Sequence, residues 1–369
     1  MEKVKVFVKG HIVFIIATLA AVISCFFVHP DAEYLEYIDY KTICCLFSTL
    51  AVICALRDIM FFTVLSRKIV GVMKNLRTLA IALVVITFVG SMLIANDMAL
   101  ITFLPLGYLS LSVTGNEKHS AYIFILQNIS ANLGGMLTPF GNPQNLYLYS
   151  YFNIPTGEFT MIMLPPFILA VAMLIGCCFI LKPAPLSVKE EIQKPLDKKK
   201  TFLYLALFAL SILAVFRVIP YIPVTAGIII VLLFEDRLAL RSVDYPLLLT
   251  FVMFFIFAGN VSRLDVIQTV VSSMLAKSTL LVSLLSCQVI SNVPSAILLS
   301  RFTDNYRELL LGVNIGGTGT LIASLASLIT YSEYKVLYPK DGGKYVKLFI
   351  VLNAAFLLVL GAAAYFFFR

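Results

Sequence analysis

A polar run at residues 130–145, set between the apolar runs 121–129 and 146–152, constrains the fold of this chain more than any other feature. It cannot be continuous helix. Adjacent Gly134 and Gly135, Pro139 and Pro143, and Asn132, Asn142 and Asn145 leave backbone N–H and C=O groups without helical partners, and hydrocarbon supplies no water in their place. Such backbone persists at membrane depth only where protein encloses it or where it lines a cavity. The pattern returns at 313–320, where Asn314, Gly316, Gly317 and Thr320 repeat the spacing of Asn132, Gly134, Gly135 and Thr138. Paired interrupted segments in corresponding positions of two halves point to the binding site of a secondary transporter.

Composition agrees with a bilayer setting. The chain is 60% hydrophobic and 13% charged, against roughly 45–50% apolar and about 25% charged in soluble domains. Its mean hydropathy is +0.96. A net charge of +8 would suggest nucleic acid in a soluble protein. Here it collects in loops assigned to the cytoplasmic side, so no nucleic-acid partner is expected. The apolar run from residue 11 continues through Phe27 without a small-residue cleavage site, and is expected to be a first span rather than a signal peptide. Cysteines 25, 44, 45, 54, 177, 178 and 287 lie in apolar runs with no paired CxxC, and read as small core residues. HExxH, GxSxG and metal-spaced Cys/His patterns are absent from the sequence, so neither enzymatic chemistry nor a cofactor is expected, and no metal beyond Na⁺.

Charge bias and span length give a topology. The basic Lys3, Lys5 and Lys9 put the amino terminus inside, and the first span ends at acidic residues 31–39. Residues 42–56 return, and 59–70 read as an amphipathic interfacial helix. Residues 79–112 are mostly apolar with polar Ala95-Asn96-Asp97 at their middle, which predicts a re-entrant hairpin. The broken segment 121–152 crosses outward and 160–181 returns. Residues 182–200, rich in lysine, form a cytoplasmic linker between a first repeat (1–181) and a second (201–369). In the second repeat a hairpin over 266–302 turns at Ser291-Asn292-Val293 and enters from the opposite side, followed by a broken segment at 309–331. All but seven of the 28 Lys and Arg (Lys41, Arg217, Arg263, Lys277, Arg301, Arg307 and Arg369) then face the cytoplasm. Charge alone is also compatible with both hairpins as full double spans. The fold class expected is an all-α polytopic membrane protein of two inverted repeats, each with a re-entrant hairpin and a discontinuous transmembrane helix.

Inverted symmetry would bring the two tips and the two unwound segments together at the midplane. Free carbonyls and Asn or Thr side chains there can coordinate dehydrated Na⁺, while half-helix amino termini offer N–H groups to an anion. The candidate substrate contacts are Asn96, Thr138, Asn142, Ser291, Asn292 and Thr320. The candidate cation or coupling residues are Asp97, Asn96, Asn132, Gly135, Asn292, Asn314 and Gly317. Asp97 is the only acidic residue of the first hairpin, and its counterpart is the neutral Val293. An intramembrane carboxylate suggests a proton relay or an ion ligand.

These motifs (Ala95–Pro105, Asn132–Asn145, Val243-Asp244-Tyr245 leading into Leu247–Asn260, Ser291–Phe302 and Leu311–Ser327) together resemble the ion transporter superfamily. Its members include divalent-anion sodium symporters, citrate permeases, arsenite permeases and a class of sodium–proton antiporters. The resemblance implies an elevator-type transporter, usually a homodimer, with a transport domain made of opposed hairpins and broken helices. In the symporters the tips read Ser-Asn-Thr and hold sodium and substrate carboxylates. Asn96 and Ser291-Asn292 match this pattern, whereas Ala95, Asp97 and Val293 depart from it. The Asn96-Asp97 pair is closer to the arsenite permeases and antiporters. The function expected is cation-coupled (Na⁺ or H⁺) transport of a small anion, a carboxylate such as citrate or a dicarboxylate, or an oxyanion. The alternative is arsenite or antimonite efflux, or Na⁺/H⁺ exchange. The expected location is a bacterial cytoplasmic (inner) membrane.

The linker assignment is open to a direct test. A cysteine placed at Lys194 should react with a membrane-impermeant thiol reagent only in inverted vesicles; labelling from outside intact cells would contradict the arrangement.

Overall fold

A computed structural model describes residues 12–186 and 196–368. The residues before Ile12 and the centre of the expected linker, Lys194 included, lie outside the described residues. Helices of eight residues or more are numbered in chain order: α1 (Ile12–Cys25), α2 (Tyr40–Asp58), α3 (Phe61–Gly71), α4 (Leu76–Ile94), α5 (Asn96–Val113), α6 (Ser120–Gly134), α7 (Pro143–Tyr151), α8 (Thr156–Phe179), α9 (Lys198–Val215), α10 (Tyr221–Glu235), α11 (Tyr245–Ser262), α12 (Asp265–Lys277), α13 (Thr279–Ile290), α14 (Asn292–Leu299), α15 (Tyr306–Ile315), α16 (Leu325–Leu337) and α17 (Gly342–Ala363). Among the described residues, six helices are long and apolar enough to cross a bilayer, or up to seven if the bent pair α12–α13 is one span. Among the described residues there is no strand; an isolated bridge pairs Asn75 with Pro185. It seats the chain leaving α8 against the start of α4, where the Leu76 N–H donates to the Ala184 carbonyl at 2.8 Å.

The helix starts are written locally. Asp39 caps α2 through the Thr42 N–H, Asp244 caps α11 through Leu247, and Asn305 caps α15 through Glu308. Asn75 and Thr78 form a reciprocal capping box at the head of α4. Both hairpins turn on a single residue with positive φ: Ala95 at 64° between α4 and α5, and Ser291 at 75° between α13 and α14. A non-glycine residue in this region is uncommon and strained; Met60, Asn153 and Arg217 share it elsewhere in the chain, and at both hairpin tips an asparagine follows next in sequence.

The hairpins differ in reach. α4 and α5 have 19 and 18 residues, whereas α13 and α14 have 12 and 8. At about 1.5 Å per residue the first pair approaches the roughly 30 Å of a hydrocarbon core and the second does not. Residues 265–277 form a separate helix, α12, bent by 119° from α13. Ser278 makes the break, and its hydroxyl accepts the Leu281 N–H to start α13.

Packing separates two groups of helices. α1 lies along α11, and α9 and α10 lie along α2. These pairs are tied by Asn260 to Ser24 (2.9 Å) and by Ser48 to Thr225 (2.9 Å). In the other group α6 nests against α4 and α5, and α15 against α13 and α14. The halves then interlock: α7 packs on α14, and α16 packs on α5. Each broken segment thus has its first part in its own hairpin and its second part against the other. Between helices in lipid the hydrophobic effect supplies little, so close approach of small residues matters. Gly134 sits against the Phe88 carbonyl and Ser91 Oγ, and Gly316 sits against Cys287 and the Gly312 carbonyl. The Cβ of an alanine at 134 would fall inside contact distance of both neighbours.

Gly134→Ala should therefore separate α6 from α4 at a cost of about 1–3 kcal/mol. A lowered melting temperature of the detergent-purified protein checks this, and Gly157→Ala, which meets no neighbour within 4 Å, serves as the control.

Candidate substrate and ion site

Helix α6 stops at Gly134, a short 3₁₀ turn covers Gly135–Leu137, and helix resumes at Pro143. The second interruption runs from Gly316 to Ser324, between α15 and α16. Asparagine side chains take up the backbone groups that these breaks expose. Asn145 Nδ2 donates to the carbonyls of Gly135 (3.1 Å), Met136 (3.2 Å) and Thr138 (3.3 Å). Asn142 Nδ2 donates to the Asn132 carbonyl (3.1 Å) and to Asn314 Oδ1 (3.3 Å). Asn314 Nδ2 in turn donates to Asn145 Oδ1 (2.6 Å) and the Leu310 carbonyl (2.8 Å). Asn132 accepts from Asn96 Nδ2 (3.2 Å) and donates to Ser324 Oγ (3.0 Å), the cap of α16. Among these five side chains the atom left without a partner is Asn142 Oδ1. It lies against Gly135, where a Cβ would collide with it.

In the second half Gln288 of α13 does what Asn145 does in the first. Its Nε2 donates to the carbonyls of Gly316 (2.9 Å) and Thr318 (3.1 Å), and its Oε1 accepts the Thr320 N–H (2.9 Å). The two threonines of the repeated motif play matching parts. Thr138 Oγ1 donates to the Met92 carbonyl (2.8 Å) and Thr320 Oγ1 to the Gln288 carbonyl (3.1 Å), each three residues before a hairpin tip. Every broken loop is thereby fastened to its own hairpin.

The tips meet at a cavity of about 280 Å³. Its polar lining is Asn96, Asp97, Gln144, Thr250, Ser291 and Asn292, and α1 and α11 close it with apolar side chains including Phe251, Phe254 and Phe257. Asp97 is the charged residue among those that line it, and Lys, Arg and His are not among them. The amino-terminal residues of four helices face this space: Asn96 and Asp97 of α5, Pro143 and Gln144 of α7, Asn292 and Val293 of α14, and Leu325 of α16. Ala95, Asn142 and Ser291, the caps of α5, α7 and α14, supply no side-chain cap. Asn96 Oδ1 accepts the Asp97 N–H (2.9 Å) and Asn292 Oδ1 accepts the Val293 N–H (2.9 Å), a matched arrangement at both tips. Helix amino termini carry about half a positive charge each and expose N–H donors, so their convergence makes an anion-favouring field without a basic side chain.

Of the residues expected from the sequence, Asn96, Asp97, Ser291 and Asn292 stand on the cavity. Asn132, Asn142 and Asn314 are buried in the amide network behind it. Gly135 lies beside Asn142, and at Gly317 an added Cβ would stand 3.0 Å from Asn292 Nδ2. Thr138 and Thr320 are not among the lining residues. Gln144 and Thr250 line the cavity and were missed by sequence reading. Gln144 follows Pro143 at the head of the resuming helix, a position that could have marked it. Thr250 sits within an apolar run of α11 with no distinguishing pattern.

Comparisons with known proteins agree on the kind of molecule. A family model described as "Citrate transporter" matches residues 3–306. An uncharacterized transporter of Methanocaldococcus jannaschii is 35% identical over 305 residues, covering 81% of this chain and 82% of the relative. The inner membrane protein YbiR of Escherichia coli is 32% identical over 279 residues, covering 73% of each chain.

Asn314→Ala should leave Asn145 Oδ1 without a donor and remove an acceptor from Asn142, at about 1–3 kcal/mol for each orphaned group. A drop of several degrees in melting temperature is expected. Asn353→Leu, removing a side chain whose amide bonds only its own helix, should leave it unchanged or raise it.

Proposed function

The chain belongs to the citrate transporter family of the ion transporter superfamily, and from that premise we propose that it is a secondary active transporter moving a small anion, coupled to Na⁺ or H⁺. The substrate is a carboxylate such as citrate or a dicarboxylate, or an oxyanion. The observation that carries this reading is the convergence of four helix amino termini on one cavity that has no basic side chain. Such ends attract an anion with about 0.3–1 kcal/mol each, and up to about 2 where partly buried. An ionised Asp97 about 4 Å away would repel one negative charge by about 4 kcal/mol at an effective dielectric constant near 20. The two effects are of the same size, so Asp97 must be neutralised before an anion is held firmly. A cation beside it or a proton on it does so, and that requirement is the coupling.

On this reading residues 1–181 and 201–369 are inverted repeats. The hairpins and broken segments move as one body against α1, α2 and α9–α11, in an elevator motion within a homodimer. On the cavity Asn96, Ser291 and Asn292 serve the substrate, with Thr138, Asn142 and Thr320 holding the broken segments behind them, and Asp97 and Asn96, backed by Asn132, Gly135, Asn292, Asn314 and Gly317, serve the cation. The unpartnered Asn142 Oδ1 beside Gly135 is the acceptor best suited to a dehydrated cation. One observation favours a second reading. Asp97 is the charged group on the cavity and its Oδ1 has no hydrogen-bond partner, which suits a neutral hydroxylated substrate such as arsenite, or Na⁺/H⁺ exchange, better than a multivalent anion.

Uptake by proteoliposomes of a panel of carboxylates, oxyanions and arsenite, under separate Na⁺ and proton gradients, distinguishes the readings. Gradient-driven accumulation of a carboxylate supports the first; exclusive movement of arsenite, or Na⁺-driven proton flux without any anion, supports the second. Asp97→Asn should remove accumulation against a gradient while leaving downhill exchange of substrate. Retained accumulation with the original pH dependence would make Asp97 a structural residue.

A further inference from the structure

We propose that Arg217 and Arg301 are positioning residues of the transport cycle, a pair that clasps the hairpins and broken segments to α1, α2 and α9–α11 and has to open at each traversal. This rests on the elevator reading given above and concerns the seam between its two bodies, away from the cavity. Arg217 follows α9, and its guanidinium donates to the carbonyls of Tyr149 and, at 3.2 Å, of Ile154. Its Cζ stands 4.1 Å from the centroid of the Tyr149 ring. Arg301 follows α14 and reaches the other way. It donates to the Tyr37 carbonyl at 2.8 Å and lies over the ring of Tyr151, 5.3 Å from its centroid. Tyr37 belongs with α11, since its ring packs on Gly259 and its hydroxyl accepts from Arg263 at 3.0 Å. Each group of helices thus offers one arginine to the other, and both meet at the carboxyl end of α7.

The backbone at Arg217 is strained, and its side-chain contacts offset that strain. The Arg217 N–H donates to the Ala214 carbonyl and the Val218 N–H to the Leu213 carbonyl, both at 3.0 Å, so α9 ends in a left-handed turn with Arg217 at φ 64°. Glycine takes this conformation freely, whereas arginine does not. A cation on the last carbonyls of a helix is favourable, and the helix capped here is α7, whose amino terminus faces the cavity. α7 has nine residues and is roughly 13 Å long, so a hold on its carboxyl end sets where its amino terminus stands. Phe216 steadies the other end, packing edge-on against Phe140 of the break at 5.8 Å. Elsewhere along the seam α11 packs on α14 and α2 on α7. Apolar contacts of that kind re-form at many offsets between sliding helices, but a hydrogen bond to one carbonyl exists at one offset only. Among the described residues neither arginine pairs with a carboxylate. Carbonyls and ring faces hold them instead, and these are weaker partners that a moving body can leave.

The test measures the separation of the two bodies in the full-length protein in proteoliposomes, by double electron–electron resonance. Spin-labelled non-natural amino acids at Leu35 and Asp304, exposed positions in the α1–α2 and α14–α15 connections, leave the native cysteines in place. The unaltered protein should show two distances, one of them the separation in this structure, with shares that respond to Na⁺ and substrate gradients. Arg217→Gly relieves the backbone while removing the side chain, and should lower the share of this separation relative to the other by about tenfold. Arg301→Gln should act in the same direction, and Arg217→Lys, which keeps the charge but loses the planar fork, should fall between. If Arg217→Gly does not accumulate in the membrane, Arg301→Gln reads the other half of the clasp by itself. Two distances whose shares are the same in the unaltered protein, Arg217→Gly and Arg301→Gln overturn the inference and make both arginines fixed packing. Failure of the elevator reading looks different: a single distance in every protein and condition, which removes the clasp with it.

Discussion

A backbone that leaves the helical path inside a low-dielectric interior must find hydrogen-bond partners there, and much of this structure is set by how that requirement is met. Each unpaired amide or carbonyl would cost several kcal/mol in an apolar medium. The chain answers with side-chain amides. Asn145 covers three carbonyls of the first break, and Gln288 covers two carbonyls and one N–H of the second. The contacts Asn142 to Asn314 and Asn314 to Asn145 join the two breaks to each other, so neither is satisfied without its counterpart. Buried hydrogen-bond networks of this kind rigidify their surroundings, and this one, in which Asn142 Oδ1 is the atom left without a partner, ties the Asn96 tip through Asn132 to the broken segments.

The same breaks create the electrostatics of the cavity. A continuous helix has one amino terminus at its end; interrupting it places a second in the middle of the protein. Two interruptions and two hairpin turns place four there, and α7 and α16 reach them only because each crosses to the opposite hairpin. The resulting positive field comes from backbone dipoles rather than from lysine or arginine and is therefore independent of protonation. Within it Asp97 stands as the charged side chain, on the amino-terminal turn of α5. Its carboxylate competes with any bound anion for the same field. In the proposed transport cycle, that competition is what a coupling ion acts upon.

How much of the fold and the site is legible in the sequence varies with the range of the interaction involved. The glycines, prolines and asparagines at 132–145 and 314–320 declare the breaks, because their effects are local and act through φ, ψ and missing donors. The tips at Ala95-Asn96 and Ser291-Asn292 are legible for a similar reason, as polar residues at the centre of apolar runs. The extent of the second hairpin is not. Residues 265–277 are less apolar than residues 279–290 and end at Lys277, but they run into them without a glycine or proline, and the cap at Ser278 and the 119° bend separate α12 from α13. Gln144 and Gln288 escape notice because a glutamine in a polar run, or at the end of an apolar helix, has no periodic signature of its role.

The sequence by itself determined that this chain is a helical membrane protein with two interrupted segments and two polar turns, since hydrophobicity, helix breaking and capping act over a few residues. Tertiary structure alone decided which asparagine serves which carbonyl, that Thr138 and Thr320 bind hairpin carbonyls, and that Gln144 joins Asp97 on the cavity wall. Those outcomes depend on pairs such as Asn142 and Asn314 that are far apart along the chain. Their meeting is set by the crossing of α7 and α16 between the halves, which no local pattern encodes.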